Sequence, residues 1–344
     1  MSEPTDMETY RGQDSLENPD MSPCRDLRVV GLGLIGGSLV RAADAAGWKV
    51  RGATRSESTA AAARDAGFDV TPSLEDLLVG TPEDALVALA VPLPAVVDVL
   101  AMLARHAPHC RLTDVVSVKQ PVAAAVARHA PRARYVGGHP MAGMSASGWS
   151  AGSATLFRGA SWVVGSDDGA DRVVWAQVAR LALDCGAQVV PAGAADHDAA
   201  VARVSHLPHV LAAVLASVGA DGGPLAMALG AGSFTDGTRV AASSPELVRA
   251  MCEGNRNALL DAMDDALGRL GVARGSLAST GALKATLEAG HRARKVFEAR
   301  HRIGETSDVD LAAPGGLRQL REIGRSGGRV VALEGTWCRV RAVG

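Results

Sequence analysis

Three observations predict an α/β chain, a doubly wound parallel sheet followed by an all-helical domain. The stretch Arg28-Val29-Val30-Gly31-Leu32-Gly33-Leu34-Ile35-Gly36-Gly37-Ser38 carries a short apolar strand into Gly-x-Gly-x-x-Gly and on into a helical pattern. Ala85-Leu86-Val87-Ala88-Leu89-Ala90-Val91 is an unbroken apolar run, the mark of a strand buried on both faces of a parallel sheet. Beyond residue 191 the strand patterns give way to long helical stripes.

Taken in order, residues 1–26 are acidic and polar without apolar periodicity, which predicts a disordered tail. The strand at 27–30 then enters the glycine turn. Gly31 permits the tight turn, Gly33 lets backbone approach a pyrophosphate, and Gly36 lets the helix pack close to the strand. The N–H groups of Leu34 and Ile35 and the positive end of their helix then face the phosphates, a Rossmann-type dinucleotide site. The bland alternative is a glycine-rich turn that binds nothing. A strand at 50–54, a helix at 58–66 ended by Gly67, and a strand at 68–70 follow. The apolar strand ends at Val91 and Pro92, which join the cofactor-binding set, and a helix runs over 95–105. Strands at 111–115, 134–136, 161–164 and 188–190, with a helix over 171–185, complete a doubly wound domain of residues 27–191.

Residues 192–303 read as a helical domain. A long helix over 196–219 contains Pro208, which should kink it. A shorter helix covers 225–229. Ser243-Ser244-Pro245-Glu246 looks like a capping box opening a helix through 270, and a last helix spans 277–302. The apolar stripes exceed what one thin bundle needs, which predicts a homodimer through these helices. The extension 304–344 holds a short helix at 317–323 and two β-like runs, 329–333 and 337–343, set to pair as a hairpin.

Composition narrows the function. A length of 344 residues allows two domains with cores, and 47% hydrophobic with 21% charged residues is ordinary for a soluble globular protein. A formal net charge of −2 supplies no basic field, so neither nucleic acid nor a membrane surface is expected as partner. The basic run His291-Arg292-Ala293-Arg294-Lys295 reads as a solvated helix face. Five scattered cysteines with no Cys-x-x-Cys argue against a disulfide framework and a zinc site, and for a reducing compartment. The polar first residues do not resemble a signal peptide, and the apolar stretch 85–97 is too short to span a bilayer. A cytoplasmic protein is the expectation.

Ligands of open α/β sheets bind at the carboxyl ends of the strands. Two polar segments fall there: Asp114-Val115-Val116-Ser117-Val118-Lys119 and Gly137-Gly138-His139-Pro140-Met141-Ala142-Gly143. His139 is the acid–base candidate, because an ordinary imidazole titrates near pH ~6.5; a structural histidine is the alternative. The Ser117 hydroxyl could equally cap the next helix. In the helical part, Asp196-His197-Asp198 precedes Ser205-His206-Leu207-Pro208-His209. A metal reading would take His197, His206 and His209, but no carboxylate or cysteine spacing supports it, so no metal is expected. A polar loop, Gly232-Ser233-Phe234-Thr235-Asp236-Gly237-Thr238-Arg239, offers Arg239 to grip a substrate carboxylate through two parallel hydrogen bonds. An Arg239–Asp236 pair is compatible with that role.

Together these segments resemble the prephenate/arogenate dehydrogenase family of tyrosine biosynthesis, in the family's order and over about residues 27–300. His139-Pro140-Met141-Ala142-Gly143, with Ser147-Gly148, and Ser205–His209 are the specific matches, beside Asp114–Lys119 and Phe234-Thr235-Asp236-Gly237-Thr238-Arg239-Val240-Ala241. The resemblance implies an oxidative decarboxylation in which hydride passes to NAD(P)+ and the ring carboxylate leaves as CO₂. It implies His139 as acceptor of the 4-hydroxyl proton, Ser117 hydrogen-bonded to the same hydroxyl, and Arg239 on a substrate carboxylate. His209, His206 and Asp236 join Arg239 in the implied substrate set.

Three departures refine this. Thr54-Arg55-Ser56 stands where an acidic residue would hold the ribose 2′-hydroxyl of NAD, which favours NADP over NAD. Met144-Ser145 replaces the family's frequent Thr-Glu, leaving no carboxylate for the ammonium group of arogenate and favouring prephenate. Val248 stands where the family often has tryptophan. The alternatives are an arogenate dehydrogenase that forms tyrosine directly and a cofactor-binding regulator with a disabled site. A β-hydroxyacid-type dehydrogenase is disfavoured, since residues 195–220 contain no lysine.

Overall fold

A computed structural model describes residues 24–144, 146–300 and 303–343. The expected tail falls, for residues 1–23, outside the described residues, as does Ser145; Asp26 already belongs to the first strand. That strand, β1 (Asp26–Val30), leads through the glycine turn to α1 (Leu34–Ala45). Then come β2 (Lys49–Ala53), α2 (Glu57–Asp65), β3 (Asp69–Thr71), α3 (Leu74–Leu78), β4 (Leu86–Leu89), α4 (Val96–His106), β5 (Arg111–Asp114), α5 (Gln120–His129) and β6 (Arg134–Tyr135). These strands form one parallel sheet in the order β3-β2-β1-β4-β5-β6, with its direction of winding reversing between β1 and β4. Alternation along β4 explains how both faces are covered. Leu86 and Ala88 enter the core shared with α1, while Val87 and Leu89 enter the core shared with α4 and α5.

The strands after β6 do not continue this sheet. Strands β7 (Gly138–Pro140), β8 (Ser161–Gly165) and β9 (Gln188–Ala192), with α6 (Arg172–Asp184) between the last two, start a second one. The expected single sheet through residue 190 is therefore two. The switch is made at Gly137-Gly138. A Cβ on Gly138 would lie 2.7 Å from the Asp114 carbonyl oxygen, and one on Gly137 would lie 2.9 Å from the Tyr135 hydroxyl. The backbone contact demands glycine at 138, whereas a side chain at 137 would displace the Tyr135 ring. Helix α6 is buried between the sheets, its Trp175, Val178 and Leu181 fully covered, so that β7 is held rigidly beside the end of β5.

The helical region begins with α7 (Ala194–Val201). One π turn over Ala202–His206 joins it to α8 (Leu207–Asp221). The expected kink at Pro208 takes this form: proline occupies the second position of α8, where its missing N–H costs little, and the Leu207 N–H bonds five residues back to Ala202. Helices α9 (Gly223–Ala228), α10 (Gly232–Thr238), α11 (Pro245–Gly254), α12 (Arg256–Thr280) and α13 (Lys284–Ala299) follow. Three expectations are corrected. The 232–239 segment is helical rather than a loop, because Phe234 seats against Gly219, where a Cβ would come within 2.5 Å of its ring. The helix expected to run to 270 breaks at Asn255, and the next continues past 277 to end at Gly281, left-handed at φ 68°. The capping box does not form, since the Ser244 hydroxyl donates to the Glu246 carboxylate and caps no backbone N–H.

The run Ala194–Asp221, mean hydropathy 1.4, is long and apolar enough to cross a membrane by length and composition alone. Much of its apolar surface, including Val204, Val214 and Val218, is exposed in the single chain. The C-terminal residues return to the second sheet. Strand β10 (Ile303–Asp310), α14 (Gly316–Arg325), β11 (Arg329–Glu334) and β12 (Trp337–Val343) give the order β10-β12-β11-β9-β8-β7. The β11–β12 hairpin forms as expected, turning at Gly335.

Candidate active site

The first half of the site is the turn after β1. Gly31 has φ +97°, and a Cβ on it would lie 2.5 Å from the Ala90 carbonyl oxygen. A Cβ on Gly36 would lie 1.9 Å from the Gly31 carbonyl oxygen, so α1 packs directly on the turn. A Cβ on Gly33 would meet only open space, which is the approach a bound phosphate needs. Gly33 caps α1 without a side-chain bond, and no acidic residue stands in the first turn. The leading N–H groups, those of Leu34 and Ile35 among them, thus have no partner within the helix. These features fit a dinucleotide pyrophosphate.

Around this turn, Val91 is half-buried and Pro92 exposed at the end of β4. Thr54 follows β2; Arg55 is exposed with no ion pair among the described residues, and the Ser56 hydroxyl caps α2 by accepting the Thr59 N–H at 3.2 Å. Gly37 and Ser38, not singled out in the sequence, have a role of their own. Trp149 packs on Gly37, Arg41 lies 3.5 Å over the Trp149 ring, and the Ser38 hydroxyl accepts the Ser153 N–H. The segment after His139 is thereby tied to the cofactor helix.

The second half centres on His139, on β7 beside the carboxyl end of β5. It is 8% exposed, and its Nδ1 lies 2.8 Å from Nε2 of His197. No hydrogen bond from the described residues occupies its Nε2. His197 Nδ1 lies 2.7 Å from the Asp198 carboxylate. That carboxylate also accepts the backbone N–H groups of Lys119 and Gln120, at 2.8 and 2.9 Å, and so binds α7 to the start of α5. Burial disfavours its charge, but these hydrogen bonds prevail and hold its pKa below the usual carboxylate value. Burial first, then His197, Lys119 and His206, push His139 well below the ordinary imidazole value. It is therefore neutral at working pH, as a proton acceptor must be.

Lys119 supports the same strand from below. Its ammonium, 2% exposed at the residue level, pairs with the Asp114 carboxylate and donates to the Gly138 carbonyl at 2.6 Å. The Tyr135 hydroxyl donates to the other Asp114 oxygen at 2.6 Å. Burial lowers the Lys119 pKa against the opposing pull of Asp114. Ser117, between these residues on the chain, is half-buried and its hydroxyl has no partner among the described residues.

The remaining candidates separate. His206 is 0% exposed, and its Nδ1 accepts from the Asn255 amide at 3.1 Å, while burial pushes its pKa down to about 4. It lies behind His139 rather than at an open surface. His209 is half-buried, and its Nδ1–H donates to the Ser205 carbonyl at 2.8 Å. Arg239 and Asp236 are both exposed, and no ion pair joins them among the described residues. The structure does not bring Arg239 against His139 within the described chain. Asn255, which also donates to the Asp198 carbonyl at 2.7 Å, escaped the sequence reading. Its signal was Gly254-Asn255 interrupting a helical stripe.

Comparison with known proteins agrees with this architecture. The model of the prephenate dehydrogenase nucleotide-binding domain matches residues 40–191, and that of the prephenate dehydrogenase dimerization domain matches residues 193–279. Prephenate dehydrogenase of Bacillus subtilis strain 168 is 33% identical over 245 residues, covering 69% of this chain and 66%, just under two thirds, of the Bacillus protein. Cyclohexadienyl dehydrogenase of Zymomonas mobilis is 32% identical, covering 75% of this chain and 90% of that one. A crystal structure from Corynebacterium glutamicum, described as a candidate prephenate dehydrogenase, superposes with a TM-score of 0.84 at 44% identity, covering 89% of this chain and 98% of that one.

Proposed function

The chain belongs to the prephenate dehydrogenase family, and from that premise we propose that it oxidatively decarboxylates prephenate to 4-hydroxyphenylpyruvate with His139 as the base. The observation that carries the reading is a buried, neutral imidazole with a free Nε2, held beside the sheet edge whose glycine turn fits a dinucleotide. It is an NAD(P)-dependent oxidoreductase. When bound, the nicotinamide supplies the hydride acceptor. His139 takes the 4-hydroxyl proton as hydride departs, and Ser117 hydrogen-bonds the same oxygen. Charge balance then assigns the proton's fate: as CO₂ leaves, the electron pair released into the ring returns to that oxygen, which takes the proton back. The enzyme consumes no proton over the cycle. Arg239, with His209 and Asp236, is the group we assign to a substrate carboxylate, since a dianion needs a permanent cation.

NADP+ is the preferred cofactor in this reading, because Arg55, just after β2, is exposed and without an ion pair among the described residues, where a 2′-phosphate would sit. Arg55→Ala is expected to weaken NADP+ binding about 10-fold, the worth of roughly 1.4 kcal/mol, while leaving NAD+ binding unchanged. Fluorescence titration of both cofactors checks this. We further propose a cytoplasmic homodimer formed through residues 192–303, whose exposed apolar stripe on α8 a second copy would cover.

The test is an initial-rate comparison of four mixtures, prephenate or arogenate with NAD+ or NADP+. Fastest turnover of prephenate supports the reading. Faster turnover of arogenate moves the substrate to the amino acid, and silence in all four with cofactor still bound leaves a regulator.

A further inference from the structure

We infer that Asp198 and His197 form a proton relay with His139, fixing its tautomer and receiving its second proton during turnover. The inference rests on the reading of His139 as base and adds two positioning residues to it.

The direction of each hydrogen bond follows from the carboxylate. Ionised Asp198 can only accept, so His197 must carry its proton on Nδ1, 2.7 Å away. With its one ring proton on Nδ1, His197 presents a bare Nε2. Across 2.8 Å, His139 must be the donor through Nδ1–H. That leaves His139 Nε2 bare, the one tautomer able to accept a proton from substrate. The carboxylate itself is held by the backbone N–H groups of Lys119 and Gln120, and so cannot rotate away without uncapping α5.

The same chain decides where the charge rests. His139 is faced by His197 from α7, itself bonded to Asp198, by Lys119 ahead of α5 and by His206 from the π turn. Burial, His197 and Lys119 disfavour a cation on His139, whereas His197 lies directly on a carboxylate. When the hydroxyl proton bonds to His139 Nε2, the Nδ1 proton passes to His197 Nε2. His139 ends neutral and His197 ends as an imidazolium paired with Asp198. Reversal of both transfers returns the proton to the ring oxygen as CO₂ leaves, so the relay resets itself.

The test compares His197→Asn and Asp198→Asn with His139→Asn in the intact enzyme. Asparagine at 197 leaves the Asp198 cap on α5 in place but cannot take up a proton. Asparagine at 198 that turns its NH2 to His197 gives up the Lys119 N–H, which shares that position, keeps the Gln120 N–H on its carbonyl, and reverses every tautomer behind it. Loss of about 10²–10⁴ in kcat is expected for each, by analogy with a triad whose orienting carboxylate is neutralised, with substrate KM and cofactor Kd within about threefold. Long-range proton–nitrogen correlation spectra of the free enzyme supply a second readout: His139 is expected protonated on Nδ1 in wild type and on Nε2 in Asp198→Asn. A folded His197→Asn enzyme with kcat within about threefold of wild type overturns the relay, as does a wild-type His139 protonated on Nε2. If His139→Asn is inactive in that case, the base assignment survives without the relay. If His139→Asn is itself fully active, the base assignment falls first.

Discussion

His139→Asn is expected to lower kcat with prephenate by about 10²–10⁴, the usual worth of a positioned proton acceptor, and to leave cofactor Kd within about twofold. The asparagine amide can still donate to His197 Nε2, so the buried contact at 2.8 Å has a replacement and the fold has no new unpaired group there. The cofactor turn lies on β1 and α1, whose glycine contacts do not involve His139. Steady-state kinetics with a separate cofactor titration distinguish the effects. Full activity in the variant would remove His139 from the chemistry. A parallel loss of cofactor binding would make it a structural residue instead.

Lys119→Met is expected to destabilise the fold by about 3–5 kcal/mol, because it leaves a buried carboxylate without its cation. Asp114 is 1% exposed and would keep only the Tyr135 hydroxyl and the Val116 N–H. The pair itself is no large source of stability, since burial already lowers the Lys119 pKa against the pull of Asp114. The penalty arises from breaking it on one side. For a chain of this size the unfolding midpoint should fall by roughly 4–7 °C in a thermal melt. Lys119→Met with Asp114→Asn should recover part of the loss, as neither partner then carries a charge. Turnover should fall as well, because the Gly138 carbonyl next to His139 loses its donor. A melting temperature unchanged within about 1 °C would contradict this account of the cluster.

How much of this was readable in advance depends on whether the physics is local. The glycine turn and the apolar β4 were legible because helix approach and two-sided burial restrict residue type position by position. The splitting of the sheet was not. Ser161–Gly165 and Gln188–Ala192 carry apolar residues that would suit either sheet, and their partners are chosen by α6 and by strands more than a hundred residues later in the chain. Segment 232–239 read as a loop from its glycine, threonine and aspartate, but Phe234 packing on Gly219 decides its helix. The site shows the same division. His139 drew notice from its glycine and proline neighbours at a strand end. Its supports come from three places in the chain, Lys119 ahead of α5, His197 and Asp198 on α7 and Asn255 after α11, and their burial depends on how α7 and α11 meet α5 and β7.

The most direct test of the central claim is the product stoichiometry of the purified protein with prephenate and NADP+. The account predicts reduced nicotinamide, CO₂ and 4-hydroxyphenylpyruvate in equal amounts, with the product carrying an aromatic ring. Reduced nicotinamide without CO₂, or no reduction with the cofactor demonstrably bound, would contradict oxidative decarboxylation as the function of this site.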